Sequence, residues 1–287
     1  MTQTEENSMS TNEPPSSVAQ IGIITKYEMM NYIMARRFLL ILGIALAFSA
    51  FFTLLIAHYG VPTDLGGGAL GFYFGWWGGS VNYIVIFSAI VFGGDAISGE
   101  FQNKTGYFLV GNPIRRSSIY IGKYLAAVIA SLIIAGIYAV IMLLNEFYYY
   151  GPSIHWQFDQ SFVFTLVYLI SAMGLLFFFS SAFKTSSYSI LGAVVLFVGF
   201  EIIESLDSAF AHIEPWFLLS YGSEIMRDIF ISPYPAHAYV STGDIVTTPV
   251  TMTIYNPTVP EGLAIMLAYF VVTSVLGLII FERKGFN

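Results

Sequence analysis

The sequence contains no cysteine, which excludes disulfide bonds, thiol catalysis and cysteine-ligated metal sites. It is also short of charge, because Asp, Glu, Lys and Arg make up only 10% of the 287 residues. An ordinary soluble domain has about 25% charged residues. A soluble fold of this size cannot cover its surface with so few charges. The hydrophobic fraction of 56% therefore indicates an integral membrane protein, and the net charge of −7 argues against a nucleic-acid partner.

Six stretches are apolar and long enough to cross a bilayer, which takes about 20 residues each. They lie at about 38–58, 72–94, 119–145, 161–183, 186–206 and 262–281. Residues 1–20 carry three acidic residues and no basic one, so they do not read as a signal peptide. We interpret them as a disordered cytoplasmic tail. The predicted fold is an all-α polytopic membrane protein, with residues 21–287 forming a single six-span domain.

The basic residues predict the orientation. Of the 11 Lys and Arg residues, all but Arg227 fall in segments on one side of the six spans. Cytoplasmic loops are enriched in Lys and Arg, so this side, with both termini, is predicted to be cytoplasmic in the cell membrane. The outer segments hold nine acidic residues: Asp64, Glu146, Asp159, Asp207, Glu214, Glu224, Asp228, Asp244 and Glu261.

Residues 21–37 precede the first span and are too polar to lie in its core. Apolar residues recur there at helical spacing, which predicts an amphipathic helix on the inner membrane surface. The alternative is a simple cytoplasmic extension of span one. The apolar positions are Ile23, Tyr27, Met30, Met34 and Phe38.

A long outer loop, about Asp207–Glu261, separates spans five and six and contains six prolines. Within it, Pro215–Phe230 predicts a short helix resting on the outer interface, since proline is favoured at a first helical position. The Thr- and Val-rich remainder is typical of short strands or of an extended loop.

Two glutamates near the outer end of span five, Glu201 and Glu204, form a candidate intramembrane polar site. Their i, i+3 spacing places both on one face of the helix. Ionisable groups within a membrane usually face a bundle interior, a pore or a partner. The alternative, held equally, is a short span five with both carboxylates in water.

The four histidines, His58, His155, His212 and His237, all fall on the predicted outer side. They lie in three different loops without the close spacing of a binding motif, so no metal site is predicted. No G-x-x-x-x-G-K-[ST] phosphate-binding loop occurs either. If ATP drives this protein, another chain hydrolyses it.

The segment Gly94–Ala127, between spans two and three, carries a family resemblance. It joins an acidic residue, a turn, a basic pair and a Gly-Lys pair in one short segment. This resembles the cytoplasmic loop of ABC-2 type transporter permeases, whose pattern is roughly E-x(5)-GT-x(2)-LL-x(2)-P-[VI]-x-R, followed by GK-x-LA. The Gly-Thr pair of the family appears here as Thr105-Gly106. The matching residues are Glu100, Leu109, Pro113, Ile114, Arg116, Gly122, Lys123, Leu125 and Ala126.

The resemblance implies a non-enzymatic permease subunit that works with a separate ABC ATPase and with a second permease subunit, identical or related. ATP and Mg²⁺ would be held by the ATPase, and no cofactor is expected in this chain. The loop would contain the coupling helix on which the ATPase docks. The docking residues expected from it are Glu100, Phe101, Lys104, Pro113, Arg115, Arg116 and Lys123.

Two other functions stay open on the residues alone. An ion-conducting or sensory membrane protein would use Glu201 and Glu204 for cations. An intramembrane protease would need catalytic groups inside the membrane. No histidine lies in the interior of a predicted span, since His58 is at the outer end of the first, and only these two glutamates are candidate acids near the core.

Overall fold

The computed structural model describes residues 16–60, 68–103, 114–206, 213–245 and 248–284, with the backbone alone at 241–245 and 248–252. Within these ranges, six helices are long and apolar enough to cross a membrane, which confirms the predicted all-α polytopic fold. The elements in chain order are α1 (Ser17–Met34), α2 (Arg36–Tyr59), α3 (Ala69–Tyr73), a π-helical turn (Phe74–Gly78), α4 (Gly79–Gly93), α5 (Ser98–Gln102), α6 (Arg116–Tyr150), α7 (Trp156–Ala182), α8 (Ser186–Leu206), α9 (Leu219–Ser223), α10 (Ile225–Asp228), β1 (Ala238–Ile245), β2 (Thr248–Tyr255) and α11 (Val259–Arg283).

The second span is a composite of α3, the π-helical turn, α4 and α5, and the other spans are α2, α6, α7, α8 and α11. Because six spans alternate in direction, α1, α5 and the end of α11 lie on one side of the bundle, called here the termini side. The β1–β2 hairpin lies on the opposite side, called the hairpin side.

The second and fourth spans form the centre of the bundle and are the most buried, whereas α2, α8 and α11 are the least buried spans. Small residues allow α7 and α11 to pack closely. A Cβ atom added at Gly174 would lie 2.8 Å from the hydroxyl oxygens of Thr273 and Ser274. Ser171 donates a 2.7 Å hydrogen bond to the Met266 carbonyl across the same contact. Close packing at small residues and hydrogen bonds between helices hold helices together within a membrane, where the hydrophobic effect does not drive their association.

Helix α1 is separate from span one rather than an extension of it. Ala35 between them is extended (φ −77°, ψ 144°), which ends α1 before α2 begins. The Ser16 hydroxyl caps the start of α1 by accepting a bond from the Ala19 amide, so residues 17–20, assigned above to the tail, are helical. Thr25 donates to the Gly122 carbonyl at 3.2 Å, which attaches α1 to α6.

The loop between spans five and six contains an antiparallel hairpin of β1 and β2, in which Ala238 is opposite Tyr255 and Ile245 is opposite Thr248. Before the hairpin, α9 and α10 form an inserted segment, defined here as Leu218–Phe230. The prediction that Pro215–Phe230 rests on the outer interface is wrong for the inserted segment, whose apolar side chains, with Tyr221 and Ile225 at 0% exposure, are buried against the spans. Trp216 and Phe217, which precede the segment, are exposed.

Helix α6 is longer than the apolar pattern predicts and continues to Tyr150. Glu146, placed in an outer loop by the sequence, therefore belongs to this helix and is 0% exposed. Neither of its carboxylate oxygens has a hydrogen-bond partner among the described residues. The first charged residue after the apolar run therefore does not mark the end of this helix.

Candidate functional site

On the termini side, the predicted docking residue Lys123 lies at the centre of an ion-pair cluster. Its ammonium group is 2.6 Å from a Glu28 oxygen and 2.8 Å from a Glu100 oxygen. Lys123 is 5% exposed, so both carboxylates are needed to compensate for the burial of its charge. The cluster joins α1, α5 and α6, and it thereby holds together the helices that precede and follow residues 104–113.

Arg116, at the first position of α6, holds the end of the last span. Its guanidinium group donates hydrogen bonds to the Glu282 and Lys284 carbonyls at 2.9 and 3.0 Å. The Lys284 ammonium group in turn donates to the carbonyls at the end of α7, at 2.7 Å to Ser181 and 2.8 Å to Phe183. A cation at a helix C-terminus is favourable because it satisfies unpaired carbonyls.

Phe101 belongs to the same group of contacts. The Lys284 ammonium nitrogen is 4.5 Å from the centre of the Phe101 ring, within range of a cation–π interaction. The Phe101 and Phe281 rings are 6.2 Å apart, edge to face. Of the predicted docking residues, Glu100, Phe101, Arg116 and Lys123 thus hold the termini side together.

Arg115 differs from its neighbours because its side chain is exposed. Its backbone amide donates a 3.3 Å hydrogen bond to the Gln20 side chain, and its carbonyl oxygen accepts one from the Ile119 amide at 3.2 Å. Lys104 and Pro113 lie outside the described residues. The docking role of the loop stays a prediction. Among the predicted docking residues that the structure describes, Arg115 is the one whose side chain is exposed.

On the hairpin side, Glu201 and Glu204 line two adjacent cavities of about 260 and about 120 Å³, together with Glu224 from the inserted segment. Glu201 is exposed and Glu204 is half-buried. A Glu204 oxygen accepts a 2.6 Å hydrogen bond from Ser220. The two glutamates therefore face a polar cavity between α8 and the inserted segment.

Arg227, the single basic residue predicted on the outer side, lies among the acidic residues of this region and pairs with two of them. Its guanidinium group is 3.1 Å from Glu224 and 3.4 Å from Asp228. Burial and the nearby Glu204 carboxylate raise the pKa of Glu224 to about 8, against the opposing effect of Arg227. Burial also raises the pKa of Asp228. Sequence reasoning treated these as loop charges, although the i, i+3 spacing of Glu224 and Arg227 was a visible signal.

A second polar group on the hairpin side was missed by sequence reasoning. Glu214, His237 and Glu261 bring one ligand atom each to within 4.8 Å of one another. His237 Nε2 is 3.4 Å from a Glu214 oxygen, and His237 Nδ1 is 3.9 Å from a Glu261 oxygen. Hydrogen bonding with the Glu261 carboxyl group lowers the pKa of Glu214. More than 20 residues separate neighbouring members along the chain, so no local motif marks them.

The family described as ABC-2 family transporter protein matches the chain over residues 2–286. No curated protein matches it in sequence. The family match covers all six spans, both loop segments with candidate sites and the hairpin.

Proposed function

The chain belongs to the ABC-2 family of transporter proteins, and from this membership we propose that it is the membrane-spanning subunit of an ATP-driven transporter. It moves an unidentified substrate across the cell membrane. A separate ABC ATPase binds ATP and Mg²⁺ and docks on the loop between spans two and three. Both termini, and therefore the docking loop, are cytoplasmic.

The observation that carries the docking proposal is the ion-pair cluster of Lys123 with Glu28 and Glu100. Through these ion pairs, the cluster attaches both ends of the loop to α1 and to the long helix α6. A force applied to the loop would then move α6 and span two as one unit. A loop attached to the bundle by flexible segments alone could not transmit such a force.

A second permease subunit fits the distribution of apolar surface. Large apolar side chains of α2 and α8, including Leu39, Leu54, Leu191 and Val195, are more than half exposed. In a membrane these faces contact either lipid or another bundle, because lipid tails are as apolar as the side chains of a neighbouring subunit. We propose that part of this surface pairs with the second subunit and that the substrate passes between the two bundles.

The test is co-purification of the full chain with the ABC ATPase encoded nearest to its gene. Arg115→Glu should weaken this association by about tenfold or more, since it reverses an exposed charge at the loop. The same change should leave the thermal midpoint of the isolated chain unchanged. The matched control is Lys26→Glu, which reverses an exposed charge on α1 of the same side.

Charge reversal at Glu100 or Arg116 is a less selective probe, because both residues make contacts within the chain. These variants should lower stability and association together. An ATPase that binds wild type and Arg115→Glu equally well would argue against docking at this loop. No association with any ABC ATPase would argue against the transporter assembly itself.

The acidic cavities of the hairpin side favour a second candidate, an ion-conducting protein. Glu201, Glu204 and Glu224 line them together, and such a group attracts cations. A cation current through the purified chain in liposomes without ATPase, reduced by Glu204→Gln, would support that function. Transport only in the presence of ATPase and ATP would support the first.

A further inference from the structure

We propose that Glu214, His237 and Glu261 bind a divalent first-row transition-metal ion of the Zn²⁺ type on the hairpin side. One imidazole nitrogen and two carboxylate oxygens, all within 4.8 Å of one another, form a donor set that such ions accept. The site is independent of the proposed ATPase docking, which lies on the opposite side of the bundle.

The base of the β1–β2 hairpin orients the imidazole of His237 for metal binding. His237 Nδ1 is 3.0 Å from the Asn256 carbonyl oxygen, which can only accept a hydrogen bond. Nδ1 therefore donates to this carbonyl, which leaves Nε2 available to a metal ion. Nε2 lies 3.4 Å from a Glu214 oxygen, and a Glu261 oxygen lies 3.9 Å from Nδ1. Metal-binding histidines usually have this arrangement, with the second nitrogen donating to a carbonyl or carboxylate.

Asn256 also holds the position of this ring through the backbone. Its amide nitrogen donates to the His237 carbonyl at 2.8 Å, and its side chain donates to the Ala236 carbonyl at 2.7 Å. The Tyr234 hydroxyl donates to the Pro257 carbonyl at 2.7 Å, which closes the base of the hairpin further. The imidazole is thus placed by a network rather than by a free loop.

Each carboxylate is positioned by a separate part of the chain. A Glu214 oxygen accepts a 3.1 Å hydrogen bond from the Tyr221 hydroxyl in the inserted segment. Glu261 belongs to the capping box of α11, where one of its oxygens accepts from the Thr258 amide at 3.2 Å. Two carboxylates and an imidazole, each held by a separate part of the chain, thus bring one donor atom each to within 4.8 Å of one another.

The donor set also indicates which cations are excluded. Ca²⁺ takes six to eight oxygen ligands and Mg²⁺ keeps several waters, so neither gains from an imidazole nitrogen. Zn²⁺ uses four ligands, of which this site supplies three and leaves one for water or another small ligand. His237 is 45% exposed at its side chain, which gives the ion a path from solution.

Such an ion would connect three parts of the chain: the stretch that precedes the inserted segment, where Glu214 lies, the base of the hairpin and the first turn of α11. Their relative positions otherwise depend on side-chain hydrogen bonds and apolar contacts. Binding to the folded state alone would raise stability in proportion to the logarithm of the metal concentration.

The experiment measures Zn²⁺ binding to the full chain in nanodiscs, purified with a tag that lacks histidine, in competition with a chromophoric chelator. Wild type should bind one equivalent, and its thermal midpoint should rise with Zn²⁺. His237→Ala and Glu214→Gln should each lower the affinity at least about tenfold. The matched control is His58→Ala, which removes an exposed histidine elsewhere on the hairpin side and should bind like wild type.

A second measurement does not depend on how the variants fold. Co²⁺ added to wild type should produce the intense visible absorption of a four- or five-coordinate nitrogen and oxygen site, and Zn²⁺ should abolish it. Excess Ca²⁺ should not. Equal displacement by Ca²⁺, or unchanged Zn²⁺ affinity in both variants, would overturn the proposal. So would a thermal midpoint of wild type that does not change with Zn²⁺.

Discussion

At the scale of single residues, the buried charge of Lys123 is the feature of the termini side on which the fold depends most clearly. A buried ammonium group is stable only where carboxylates or other acceptors replace its water. Glu28 and Glu100 supply that replacement from two other helices. The family resemblance singled out Glu100 and Lys123, but the sequence held no signal for Glu28, which is 95 positions from Lys123.

Lys123→Met should destabilise the protein strongly, because it leaves two carboxylates facing each other without a cation. Removing one partner of a buried ion pair costs about 3–5 kcal/mol. The thermal midpoint of the protein in detergent, followed by intrinsic fluorescence, measures the loss. Lys26→Met, an exposed lysine on α1, is the control and should change little.

The triple variant Lys123→Met with Glu28→Gln and Glu100→Gln separates charge from packing. It should recover part of the loss, since the unpaired negative charges are gone. A single variant as stable as wild type would show that the cluster contributes nothing to the fold.

At the scale of elements, the inserted segment is where local sequence reasoning failed. The preceding Pro215 and the mixed polarity of the segment predict a surface helix, whereas the structure buries α9 and α10 against the π-helical turn, α7, α8 and α11. Glycines make this approach possible. A Cβ atom at Gly78 would lie 2.8 Å from Arg227 Cγ, and one at Gly262 would lie 2.8 Å from the Gly222 carbonyl oxygen.

Gly262→Val should therefore separate α9 and α10 from α11. Its Cβ would also lie 2.6 Å from Ile225 Cγ2, so both backbone and side chain must move. Overpacking costs about 1–3 kcal/mol, and more where backbone is the obstacle. The drop in thermal midpoint and the loss of protection of Leu218–Phe230 in hydrogen exchange measure the effect.

The control for this variant is Gly136→Val on α6, where an added Cβ meets no atom within 4 Å. It should leave exchange in the inserted segment unchanged. Equal effects of the two variants would show that the β-branched residue, rather than the close contact, causes the loss.

At the scale of the whole molecule, the absence of cysteine allows a direct test of orientation. Lys26→Cys lies on α1 at the termini side and Val240→Cys lies on the exposed hairpin. If the basic side is cytoplasmic, as the positive-inside rule predicts, a membrane-impermeant maleimide should label only Val240→Cys in intact cells. Lys26→Cys should react only after permeabilisation. The reverse pattern would place the docking loop outside and rule out an ATP-driven partner there.

The sequence by itself determined the class of protein, the number of spans, the charge asymmetry between the two sides and the family. These properties depend on composition, on apolar runs and on short motifs, each of which is a local property of the chain. Only the tertiary structure decided the partners of Lys123, the burial of Glu146 and of the inserted segment, and the meeting of Glu214, His237 and Glu261. Such contacts join residues that are far apart in the chain. They depend on how the helices pack against one another, and small residues permit that packing. No local sequence pattern encodes it.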